Sequence, residues 1–207
     1  MDTLQLSIAQ LVPLTEAEGP GLRFALWFQG CPLRCPGCCN PEMLPFTGGQ
    51  SMSFSQLVSK LDAACTHGIE GITLLGGEPF AHAKAAVAIA LAARNRGLSI
   101  MIFSGYRLQD ITQLPDPARD LLLLADLLVD GPYIRDLPDR TRRWIGSTNQ
   151  RIHFLTDRYR PDDPCWAKRN TIEIRLDQRS LSLNGFPAES ARALWRDLPR
   201  NNARSAS

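Results

Sequence analysis

The chain has 207 residues, 44% of them hydrophobic and 21% charged, enough to bury the core of a single domain. With 23 basic against 21 acidic residues the net charge of +2 is too even for a nucleic-acid binder held by a bulk field. No apolar run approaches a membrane span and no signal peptide is evident, so a soluble, cytoplasmic protein with reduced thiols is expected rather than a disulfide framework.

Residues 4–12 alternate in polarity as a strand does, and Glu18-Gly19-Pro20-Gly21 marks a tight loop. The apolar run 22–28 reads as a strand that delivers the chain to Gly30 and to three cysteines, Cys31, Cys35 and Cys38, spaced Cys-x3-Cys-x2-Cys. Phe54, Leu57, Val58, Leu61 and Cys65 recur at helical spacing behind Ser53, a suitable N-cap, which makes Cys65 a core residue. A short strand over 71–75 runs into Gly76-Gly77-Glu78-Pro79, and a helix is expected over about 81–95. The unit repeats: a strand over 98–103 ending at Ser104-Gly105-Tyr106, a helix over about 117–124, and a strand over 126–129 ending at Asp130-Gly131-Pro132. Strands alternating with helices at this pitch predict an α/β fold of parallel βαβ units with right-handed crossovers. Their carboxyl ends share one edge, where ligands bind, so the polar strand ends should converge there. Residues 131–150, rich in arginine and proline, read as a long surface loop, either a lid or docking surface or a solvated connector. Residues 171–175 and 180–183 read as a hairpin, and 196–207 as a frayed tail.

The cysteine run carries the chemistry. Structural zinc is closed by four ligands in paired spacings. Here Cys39, Cys65 and Cys165, like His67, His82 and His153, stand singly with no spacing that supplies a fourth ligand. Three thiolates suit an iron–sulfur cluster that keeps one iron open to a small molecule, and zinc is the lesser alternative. Adjacent cysteines are poor joint ligands for one iron, so Cys39 is expected to be a bystander with a liability to oxidation. Gly76-Gly77 taken alone reads equally as an ordinary turn into a helix, with Pro79 at its first position.

Together these stretches, with Asn40-Pro41-Glu42, Tyr133 and Gly146-Ser147-Thr148-Asn149-Gln150-Arg151, resemble the radical S-adenosylmethionine superfamily, and within it the activating enzymes of glycyl radical enzymes, of the anaerobic ribonucleotide reductase type. The resemblance covers most of 18–153. It implies a partial (βα) barrel of parallel strands carrying a C-terminal β-hairpin. The whole would be one domain over 1–195, with its core at 18–153, an extension over 154–195 and the tail beyond.

The resemblance further implies a 4Fe-4S cluster on Cys31, Cys35 and Cys38, with S-adenosylmethionine (SAM) on the fourth iron and Gly76, Gly77, Glu78 and Pro79 around its amino group. Ser104, Tyr106 and Asp130 stand at strand ends where they suit contacts to the ribose or the methionine carboxylate. Asn149 and Arg151 would act likewise or order their loop. Tyr133 and Trp144 would either form a docking face or be buried. The implied reaction is reductive cleavage of SAM to a 5′-deoxyadenosyl radical. Electrons would come from a flavodoxin or ferredoxin, and the hydrogen atom from a glycine of a partner glycyl radical enzyme. Action on a small molecule or peptide is the alternative, and it would need a closed, substrate-specific pocket. Electron transfer without catalysis fits poorly with the open iron.

Overall fold

The computed structural model describes residues 4–176 and 181–186. Seven strands form one sheet: β1 (Gln5–Thr15), β2 (Arg23–Phe28), β3 (Gln50–Ser53), β4 (Gly71–Gly76), β5 (Ser99–Phe103), β6 (Leu127–Asp130) and β7 (Arg151–Phe154), in the spatial order β3-β1-β2-β4-β5-β6-β7. The central strands β2, β4, β5 and β6 run parallel, while β1 and β7 pair antiparallel to β2 and β6. A separate hairpin joins β8 (Ile172–Leu176) to β9 (Leu181–Gly185). Helices α1 (Phe54–Cys65), α2 (Ala83–Arg94), α3 (Leu108–Ile111) and α4 (Asp116–Leu124) lie between the parallel strands in sequence.

Every residue of β2 is buried, as a strand covered on both faces requires. Helix α1 starts where Ser53 and Gln56 cap each other: Gln56 N donates to Ser53 Oγ at 3.2 Å and Ser53 N to Gln56 Oε1 at 2.9 Å. Because β2, β4, β5 and β6 advance in one direction across the sheet, crossovers of constant hand place every connecting helix on the same face. There Leu57 and Leu61 of α1, Ile89 and Ala90 of α2 and Leu121 of α4 pack on Leu26, Ile72, Leu74, Ile100 and Ile102. The opposite face carries Trp27 and Leu75 packed with Met43, and Met101, Leu127 and Val129 packed with Trp144 and Ile145.

Residues beyond β7 complete that second face. Trp166 stands edge-on to Trp144 and to Phe154 at ring separations of 5.2 and 5.3 Å, and Phe186 lies 5.8 Å from Phe103. The Tyr159 hydroxyl lies 2.8 Å from Ser99 Oγ and accepts from the fully buried Arg23, whose guanidinium also donates to Thr73 Oγ1 and the carbonyl of Pro20. Satisfying that many donors is what allows a guanidinium to sit in the interior.

Several expectations are adjusted. The first strand continues to Thr15, and the helix expected from 81 begins at Ala83 because Pro79–His82 form a 3-10 turn. The polar strands β3 and β7 carry no strong strand pattern, and pairing with β1 and β6 creates them. The one-turn helix α3 likewise has no sequence signal; Asp130 Oδ2 accepts the Leu108 amide at 2.7 Å. The loop 131–150 is no solvated connector. Trp144, Ile145 and Ser147 are buried, and Arg142 ties the loop together by donating to the carbonyls of Thr148 and Gln150. The hairpin stands one residue later than expected; its turn, 177–180, and residues 187–207, which include the expected tail, lie outside the described residues. No described helix is long and apolar enough to cross a membrane.

Candidate metal centre

The parallel registry brings the cysteine loop and the glycine pair out of the sheet side by side, since Trp27 is level with Leu75 and Phe28 with Gly76. The root of the cysteine loop is fixed by its own backbone. Gly30 N donates to Met43 O at 2.9 Å and Cys31 N to Leu44 O at 3.0 Å, while the Gln29 amide donates to the carbonyls of Glu42 and Pro45. His82 stacks on Phe28 with ring centroids 5.1 Å apart, and its Nε2 lies 3.3 Å from Gly30 O. Gln29 and His82 had no sequence signal, because their partners are backbone carbonyls and a ring remote in sequence.

Cys31 is buried, Cys35 and Cys38 are half-buried and Cys39 is exposed. Each thiol of the triplet faces backbone N–H donors: those of Leu33 and Arg34 for Cys31, Tyr133 for Cys35 and Asn40 for Cys38. Such donors stabilise sulfur that carries negative charge. Burial pushes the Cys31 and Cys35 thiols up, whereas a hydrogen bond from Cys39 holds Cys38 down, to about 6. Among the described residues no three Cys, His, Asp or Glu side chains are drawn together around the position of a single metal ion. Three thiols in one loop, each met by amide N–H groups, fit the sulfur-rich donor set of an iron–sulfur cluster.

At the end of β4 the backbone makes the contact. A Cβ on Gly77, where φ is +21°, would stand 2.4 Å from Gly30 O and 2.7 Å from Phe28 O, so only glycine lets the strands approach this closely. Glu78 N then donates to Gly30 O at 3.0 Å, joining the motif to the cysteine loop. The Glu78 carboxylate is 1% exposed and accepts three hydrogen bonds: from Phe80 N at 3.0 Å, Ser104 Oγ at 2.9 Å and Gly105 N at 2.9 Å. Burial pushes its carboxyl up to about 7. Most of its acceptor capacity is thus committed within the protein, tying the carboxyl end of β5 to that of β4. Pro79 is buried and opens the 3-10 turn that Glu78 caps.

The structure gathers Ser104 with Glu78 and sets Tyr106 nearby, where burial and the charges of Glu78 and Cys31 push its hydroxyl up. It sets Asp130 apart. That carboxylate holds the Leu108 amide and lies 3.1 Å from His153 Nε2, off the line a hydrogen bond needs. Asp130, Asn149 and Arg151 line a cavity of about 600 Å³ with Arg107, Gln109 and His153. The Asn149 side chain donates to Pro132 O at 2.8 Å and orders its loop. Trp144 is fully buried, with its indole N–H on Ala17 O at 3.1 Å, and so forms no docking face. Tyr133 supplies a backbone donor to Cys35, and Arg135 packs over Gly37, so the loop 131–150 closes on the cysteine loop.

Residues 17–153 match the family model described as a 4Fe-4S single cluster domain. The anaerobic ribonucleoside-triphosphate reductase-activating proteins of Salmonella typhi and Escherichia coli K12 are each 31% identical over 153 residues, covering 70% of this chain and 97% of theirs. That of enterobacteria phage T4 is 30% identical over 152 residues, covering 72% of this chain and 94% of its own. The chain therefore belongs to the 4Fe-4S single-cluster family and, within it, to the glycyl-radical-activating type of radical SAM protein.

Proposed function

We propose that this protein is a radical SAM oxidoreductase that installs a glycyl radical on a partner enzyme, such as an anaerobic ribonucleotide reductase, in the cytoplasm. The observation that carries the reading is the direct bond from Glu78 N to Gly30 O, which joins a three-thiol loop to a glycine pair whose backbone has no room for side chains. Cys31, Cys35 and Cys38 would hold the 4Fe-4S cluster. The chemistry such a cluster would supply, once reduced by a flavodoxin or ferredoxin, is one-electron cleavage of the SAM sulfonium to methionine and a 5′-deoxyadenosyl radical, which would take a hydrogen atom from a glycine Cα of the partner.

The protein's residues supply placement. Gly76 and Gly77 offer backbone to the SAM amino group. Glu78 holds those carbonyls still through Ser104 and Gly105, with its remaining acceptor capacity open to the same ammonium. Asp130 would serve the nucleoside end from the cavity it lines with Asn149 and Arg151. The sheet itself supports a partial-barrel reading of one domain: all connecting helices lie on one face, and the face with Trp27 and Val129 is covered by the loops and by residues that follow β7.

The test is anaerobic reconstitution with iron and sulfide, reduction with dithionite, and assay for 5′-deoxyadenosine with and without a glycyl radical enzyme. The expected result is nucleoside formation accompanied by a glycyl doublet in electron spin resonance on the partner. Turnover without any protein radical would instead favour a small-molecule substrate. Failure to bind a cluster would overturn the reading.

A further inference from the structure

The second face of the sheet carries a level row of apolar side chains at the carboxyl ends of the parallel strands. Trp27 pairs with Leu75, Leu74 with Ile102 and Phe103 with Val129, so Trp27, Leu75, Phe103 and Val129 follow one another across β2, β4, β5 and β6. Trp27 and Leu75 are buried with Met43, and Val129 with Trp144 and Ile145. Phe103 packs on both clusters and yet stays only half-buried. The ring set against it is that of Phe186, 5.8 Å away and also half-buried. Phe103 leads directly into Ser104 and Gly105, which both donate to the Glu78 carboxylate. Two partly open aromatic rings therefore adjoin the motif at 76–79, in a row whose other members are covered.

Phe186 follows the hairpin, beyond the residues 17–153 that the family model matches. Its place is fixed by backbone: Phe186 N donates to Thr171 O at 3.1 Å, and at Gly185, where φ is +109°, a Cβ would stand 2.2 Å from that same carbonyl. The hairpin is fastened in turn to the end of β1 and the loop after it. The Asn184 amide donates to Thr15 Oγ1 at 2.9 Å and to Glu18 Oε1 at 3.3 Å, and Glu16 N donates to Glu173 Oε1 at 2.8 Å.

We infer that the hairpin supplies a wall of the SAM pocket, with Phe186 and Phe103 as the apolar surface on which the bound ligand packs. This rests on the radical SAM reading above. Besides its amino and carboxylate groups SAM carries an aliphatic chain, ribose carbons and an adenine ring, and burying these against aromatic carbon adds free energy that the glycine motif cannot supply. A ligand that touches the hairpin also stabilises the hairpin, because the coupling between the two is reciprocal.

The experiment measures SAM affinity by titration calorimetry for reconstituted wild type, F186A, F186L and L176A, and follows the hairpin amides by hydrogen exchange with and without SAM. Iron and sulfide per chain and circular dichroism verify that each variant is loaded and folded. F186A should bind SAM at least tenfold more weakly at wild-type iron content, and F186L should recover to within threefold. L176A, which changes a side chain 80% exposed on the same hairpin, should match wild type. SAM should slow exchange over 182–186 at least tenfold in wild type and less than twofold in F186A. The inference is overturned if loaded F186A binds SAM as wild type does, whether or not it is less stable, or if only its KM for the partner enzyme rises. It is equally overturned if SAM leaves the hairpin amides of wild type unchanged, a result that decides the matter even where F186A fails to fold. A reconstituted wild type that binds no SAM would instead sink the radical SAM reading itself, so the two failures are distinguishable.

Discussion

Replacing Glu78 tests whether the glycine motif is held by this carboxylate. In Glu78→Ala the amides of Phe80 and Gly105 lose their acceptor, while Ser104 Oγ can rotate and still accept from Tyr106 N. Each buried amide left without a partner costs about 1–3 kcal/mol, so with two of them the variant should lose about 2–6 kcal/mol. Glu78→Gln keeps the shape, but one end of its side chain becomes a donor. With the amide oxygen serving Phe80 and Ser104, its NH2 meets the Gly105 N–H, and the cost should be about 1–3 kcal/mol. Urea unfolding of cluster-free protein under nitrogen measures both, and SAM binding to reconstituted protein by calorimetry should weaken in the same order. An alanine variant within about 0.5 kcal/mol of wild type would refute the reasoning, since the three hydrogen bonds would then hold nothing.

Gly77→Ala sets a Cβ against the carbonyls of Gly30 and Phe28, and because both are backbone the strand ends must part. A loss of about 2–4 kcal/mol in urea unfolding is expected, whereas Gly48→Ala, where a Cβ meets nothing within 4 Å, should leave the Gly30 region undisturbed in hydrogen exchange. Glu18 is buried against the hairpin, 3.3 Å from the Asn184 amide and near Glu173 and Arg175, and burial pushes its carboxyl from 4.5 up to about 8. Its neutral form is the one the fold prefers. That stabilisation is complete below about pH 4.5 and is lost as pH rises through about 8. At about 1.4 kcal/mol per pH unit this reaches a few kcal/mol, and Glu18→Gln should flatten the pH profile of the melting temperature in that window. Trp166→Ala removes two edge-to-face ring contacts and should cost about 2–4 kcal/mol by thermal unfolding, with loss of near-ultraviolet dichroism from Trp144.

The sequence by itself determined the local chemistry: the three thiols in one loop, the glycine pair after a strand, the capped start of α1 and the parallel strands between helices. These are short-range signals, because spacing, periodicity and φ freedom act within a few residues. It did not carry β3 or β7, which are too polar or too short to declare themselves and exist because β1 and β6 offer unpaired edges. Nor did it show that Glu78 is spent on Phe80, Ser104 and Gly105, that Asp130 turns toward α3 and His153, or that Trp144 is buried under Trp166. Each of those depends on which groups meet across long stretches of chain. A hydrogen-bond acceptor or an aromatic ring has the same sequence signature whether its partner is a ligand or another strand, and only the fold decides which one reaches it first.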